Sequence, residues 1–109
     1  MQAEMRRACS YISPAPGPMA VSIAFCFRRP QSWPKAQRDA VDNGQEPWYT
    51  GKPDLDNLIK LVKDAGNGIL WVDDSQIVQL EATKVYTAES ETIINVFTLS
   101  THPIFLWAT

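Results

Sequence analysis

Between Lys52 and Gln76 the chain reads KPDLDNLIKLVKDAGNGILWVDDSQ, with acidic pairs at both ends: Asp54 with Asp56, and Asp73 with Asp74. In a mature helix, residues two apart point about 200° from each other and cannot share a ligand. In extended chain they point the same way. Pro53 pushes Lys52 out of helical geometry and is itself a good helix opener. Asp54 is therefore expected where extended chain becomes helix, a junction at which both carboxylates can face one spot. Acids in a first helical turn are also ordinary capping residues, so this pair alone has a purely structural explanation. Lys60 follows Asp56 by four residues on the same helix face. It is either half of a surface ion pair contributing about 0.2–0.5 kcal/mol, or a cation placed to stabilise charge developing on a phosphate. The chain turns back after Gly66 through ILWV, and that return is expected to bring Asp73 or Asp74 to the helix start. Three carboxylates at one point repel one another and raise each other's pKa. Such a cluster makes sense around a hard divalent cation such as Mg²⁺, which takes carboxylate oxygens and keeps several waters. That arrangement supports metal-assisted phosphodiester hydrolysis.

The elements that must position these groups are legible as patterns. Val21, Ile23, Phe25 and Phe27 alternate with Ser22, Ala24, Cys26 and Arg28, which predicts a half-buried strand ended by Pro30. SWPKAQRDAVDNG predicts a short helix, with Ser32 as N-cap and Asn43-Gly44 as its stop. Leu55, Leu58, Ile59, Val62 and Ala65 recur at helical spacing and predict a helix from about Pro53 to Ala65. IVQLEATKVYT, with Val78, Leu80, Ala82 and Tyr86 on one face, and TIINVFTLS are separated by AESE and predict a hairpin. The order β–α–α–β–β predicts an α/β (α+β) domain: a small mixed sheet with an N-terminal strand, two helices and a C-terminal hairpin. Residues 1–19, with Pro14, Pro16 and Pro18, read as an irregular lead-in, and 101–109 as an apolar tail.

At 109 residues and 45% apolar, the chain is expected to form one domain spanning 1–109. A domain of this size has a thin stability margin, which a second copy would widen. The net charge of −2 gives no overall attraction for polyanions, although a local basic face or a bound cation can reverse the field at one site. Cys9 and Cys26 have no metal-type spacing and read as free thiols in a reducing compartment. With no signal-like or membrane-length apolar run, the expected location is cytoplasmic. His102 reads as incidental. Trp71, inside ILWV, reads as core, while Trp48 in the EPWYTG loop is placed to stack on a base.

The run KPDLDNLIKLVKDAGNGILWVDDSQIVQLEATKVY resembles the RusA family of Holliday-junction resolvases, small endodeoxyribonucleases of phages and prophages. The resemblance implies that Asp54, Asp56 and Asp74 are Mg²⁺-binding catalytic carboxylates (Mn²⁺ being an alternative ion) and that Lys60 is the catalytic cation. Asp73 becomes a supporting acid, and Asn57 a residue that orients a ligand or the helix start. It further implies a homodimer that cuts two strands of four-way junction DNA in recombination and repair. Lys52, Lys63, Arg38 and Trp48 are the residues expected to hold DNA. Two other readings stay open: a dimeric DNA-binding relative that does not cut, and a metal-dependent phosphohydrolase acting on nucleotides.

Overall fold

The structure, a computed structural model, describes residues 1–8 and 14–99. Strand β1 (Met19–Arg28) is its centre, because its alternation is carried through into burial. Met19, Val21, Ile23 and Phe25 are at most 3% exposed, while Ala20, Ser22 and Ala24 on the other face are half-buried. Two further strands flank it, β2 (Ile77–Thr87) and β3 (Glu91–Thr98), in the order β2-β1-β3. β1 pairs parallel with β2 and antiparallel with β3, so the sheet is mixed as expected.

The predicted hairpin does not form. β2 and β3 are consecutive in the chain but lie on opposite sides of β1. The short link between them is tied to the end of β1: the Arg28 N–H donates to Ser90 Oγ at 2.9 Å and the Arg29 N–H to Thr87 O at 2.9 Å. A parallel β1–β2 pair needs a long crossover, and residues 29–76 supply it with the helices.

Helix α1 (Gln2–Ala8) replaces part of the irregular lead-in anticipated from the prolines. Glu4 in its first turn and Arg6 and Arg7 in its last complement the helix dipole. Its buried Met5 side chain packs on Ala65 and Ile69. Helix α2 (Lys35–Asp42) starts after Pro34, two residues beyond the expected Ser32 cap, and stops at Asn43-Gly44 as read. A two-pronged pair of Arg29 with Asp42, at 2.9 and 3.0 Å, ties its end to the end of β1.

Helix α3 (Leu55–Gly66) matches the expected helix closely. Leu55, Leu58, Ile59 and Val62 lie against Met19, Val21, Ile23 and Phe25. Trp71 is fully buried in that core, and its indole N–H donates to Lys63 O at 3.2 Å. Gly66 is required by close approach, since a Cβ there would overlap the Trp71 ring. The free Cys26 is buried, and burial pushes its thiol pKa up, aided by Glu91. No helix among the described residues is long and apolar enough to cross a membrane. Cys9, His102, Trp107 and the tail 101–109 lie outside the described residues.

Candidate active site

Asp54 stands at the predicted junction. It is the N-cap of α3, with an extended backbone of φ −69° and ψ 150°. Its carbonyl opens the helix by accepting the Leu58 N–H at 3.2 Å, yet its carboxylate makes no capping hydrogen bond. Oδ1 instead accepts from Lys52 Nζ at 2.8 Å, an exposed pair of a kind that contributes little to stability. Asp56 lies exposed in the first turn, and Lys60 exposed one turn further on. Among the described residues neither belongs to an ion pair. The structural explanations open to these three side chains, two caps and a helix pair, are therefore not taken up.

The backbone ahead of α3 is held by other residues. The Lys52–Pro53 bond is cis. Lys84 Nζ, from β2, donates to Gly51 O and to Pro53 O at 2.7 Å. The Tyr49 hydroxyl donates to Lys52 O at 2.8 Å. Tyr49 stacks on Phe27 with ring centres 4.0 Å apart and meets Tyr86 edge-on at 5.0 Å. Adjacent residues of extended chain face opposite ways. Trp48 accordingly points out and is 64% exposed, while its backbone bridges to Val85 at the β2 edge.

The second acidic pair is used differently. Asp73 caps a 3-10 turn, Asp74–Gln76, and its carboxylate accepts from the Ser75 N–H at 3.0 Å. Bonds from Ser75, through its side chain and then its backbone, hold the Asp73 carboxyl below the usual range. Gln76 closes the box. Its Oε1 accepts from the Val72 N–H at 2.7 Å and the Asp73 N–H at 3.0 Å. Its Nε2 donates to Ala15 O at 2.9 Å and Gly17 O at 2.8 Å. Asp74, half-buried, has no hydrogen-bonded carboxylate among the described residues.

α3 and the 3-10 turn are in contact, so the helix bearing Asp56 and the turn bearing Asp74 are neighbours. Nonetheless, among the described residues no three acidic, histidine or cysteine side chains gather as ligands of one ion. The expected convergence of Asp54, Asp56 and Asp74 is not formed. Asp54 has turned to Lys52, and carboxylates without a counter-charge repel. Lys63 lies in the last turn of α3, about 10 Å along the axis from Asp56. Arg38 on α2 has a buried Nε without a partner among the described residues. Asn57 is exposed in the first turns of α3. Tyr49, Lys84 and Gln76 have site-building roles that the sequence reading did not assign.

The family model described as endodeoxyribonuclease RusA matches residues 1–97. The chain belongs to the RusA family. Uncharacterized protein YqaN of Bacillus subtilis (strain 168) is 43% identical over 76 residues, which is 67% of this chain and 52% of that protein. Crossover junction endodeoxyribonuclease rusA of Lactococcus phage r1t is 54% identical over 39 residues, 35% of this chain and 30% of that protein. The chain thus spans about half or less of the length of these two relatives. No solved structure matches.

Proposed function

We propose that this chain is a divalent-cation-dependent endodeoxyribonuclease that acts as a homodimer on four-way junction DNA. The observation that carries the reading is the idleness of the acids at the start of α3. Asp54 occupies an N-cap without capping, and Asp56 and Lys60 stand exposed one turn apart. With family membership, that leaves these groups free for chemistry rather than for holding the fold.

The donor set suits Mg²⁺ or Mn²⁺. Hard carboxylate oxygens are available at Asp54 Oδ2, Asp56 and Asp74, and such ions take one or two carboxylates, substrate phosphate and water rather than a full protein cage. When bound, the ion polarises the scissile phosphate and makes water a stronger nucleophile. Asp56 and Asp74 would hold it from adjoining elements, with Asp54 joining once it releases Lys52. Lys60 would offset the negative charge that builds on the phosphate. Lys52, freed from Asp54, is a donor for a flanking phosphate, Arg38 would reach one through the terminal nitrogens of its guanidinium rather than its buried Nε, and the exposed Trp48 is a surface for base stacking. Lys63, half-buried and at the far end of α3, would contribute to phosphate binding at longer range.

The pairing of Asp54 with Lys52 favours one competitor, a family member that binds junctions without cutting them. A synthetic four-way junction separates the two. With Mg²⁺ or Mn²⁺ the native chain should cut it, and Asp56→Asn should bind it equally well while losing cutting. Binding with no cleavage at any concentration of either ion would give the competitor the field, and full cutting by Asp56→Asn would end the assignment of that residue.

A further inference from the structure

Lys84 breaks the pattern of its own strand. By register it lies opposite Phe25, on the face that Leu80, Ala82 and Tyr86 share with the apolar side of β1. A half-buried lysine on an otherwise apolar face is accommodated by turning its ammonium to acceptors at the edge of that face. The acceptors are the carbonyls of Gly51 and Pro53, either side of Lys52. The carbonyl between them, Lys52 O, takes the Tyr49 hydroxyl. Three consecutive carbonyls, immediately before Asp54, are thus each held by a side chain from outside the segment. The ammonium also lies 5.2 Å from the centre of the Tyr49 ring, itself anchored on Phe27 and Tyr86. Gly51 completes the fit, since a Cβ there would sit 2.9 Å from the Tyr49 hydroxyl oxygen.

We infer that Lys84 is a positioning residue: through the Gly51 and Pro53 carbonyls it fixes the loop that aims the Asp54 carboxylate at the site. The inference rests on the nuclease reading for its catalytic consequence, but not for the clamp itself. Charge-assisted bonds are roughly twice as strong as neutral ones, so two of them can pin a short exposed loop. Free to pivot, the loop would leave Asp54 in place in the chain but wrongly aimed. Lys84 itself reaches no reacting atom.

Lys84→Met keeps the aliphatic stem and removes all three donors. In that variant the Leu58 amide, which is bonded to Asp54 O, should exchange faster, with protection in β1 and in the later turns of α3 unchanged. Single-turnover cutting of the four-way junction should fall on the order of 100-fold, while junction affinity in metal-free buffer stays at the native value. Lys84→Arg, which keeps a charged donor in a different geometry, should fall between. If the native chain does not cut at all, the nuclease reading fails and the exchange pattern alone judges the clamp. Unchanged exchange around Asp54 in Lys84→Met overturns the inference. So does a cutting loss that merely follows a general loss of protection and of junction binding.

Discussion

Two acidic turns flank α3, and the fold treats them in opposite ways. The turn that closes at Asp74–Gln76 is held by its own side chains. Asp73 caps it, and Gln76 bonds two of its N–H groups while reaching two carbonyls of the segment before β1. The loop before Asp54 is held mainly from outside, by Lys84 of β2, with one local bond from the Tyr49 hydroxyl. Where a turn closes itself, one acid of the pair is consumed and Asp74 alone is left. Where others close it, Asp54 and Asp56 are both left over. Composition does not decide which carboxylates are free for chemistry; the source of the backbone's hydrogen bonds does.

The sharpest way to break that comparison is to neutralise the two adjacent acids separately. Asp74→Asn should reduce junction cutting by at least about 100-fold, the scale of losing one charged group that stabilises the reacting phosphate through the bound ion, and leave stability nearly unchanged. Asp73→Asn should do the reverse, weakening the fold while retaining cutting under conditions where the protein stays folded. Single-turnover rates and urea unfolding on both variants test the pair. Equal catalytic losses would show that the capping acid is also part of the site.

How much of this was readable beforehand follows from the range of the interactions involved. The extended-to-helix junction at Asp54 was visible because proline and its neighbours act locally. So was α3, whose stripe of Leu55, Leu58, Ile59 and Val62 is a local period. The strand order was not. A short link between two alternating runs reads as a hairpin, and only the requirement that β1 be paired on both edges places it between β2 and β3. Val78 was assigned to the face of Leu80 and Ala82, but an irregularity opposite Met19 and Ala20 leaves it 64% exposed. Lys84 reaches back more than thirty residues to Gly51 and Pro53. Its one sequence trace was a lysine interrupting an otherwise apolar alternation. Gln76 was visible as part of DDSQ, but its bonds to Ala15 and Gly17 were not, because nothing local links the two segments.

A smaller effect distinguishes self-closure from outside support. Gln76→Ala removes the partner of four backbone groups at once. Water replaces part of what is lost at these sites, so the expected cost is roughly 2–3 kcal/mol in urea unfolding rather than the full sum. The corresponding change on the other side, Tyr49→Phe, removes one bond, to Lys52 O, and keeps the stack on Phe27. It should cost clearly less stability. A larger loss for Tyr49→Phe would mean that the loop before Asp54, not the DDSQ turn, is the part on which the fold depends.

The smallest effect is a dependence on pH. Asp73 is held below the ordinary carboxyl range by Ser75, so the unfolded chain binds its proton more readily than the folded one. The stability it adds is fully present above the unfolded value of about 3.9 and drains away as pH falls through the lower folded value. Asp39, held low mainly by Lys35, contributes a slope of the same sign, so the total acid sensitivity does not isolate the cap. The difference between the native chain and Asp73→Asn does. Their unfolding free energies should lie furthest apart above about pH 4 and draw together on acidification, with the native chain showing the steeper fall. A gap that stays constant from neutral pH down through the carboxyl range would mean that the charge of Asp73 contributes nothing to the turn. In that case the folded and unfolded chains bind the Asp73 proton equally well, and Ser75 does not hold that carboxyl low.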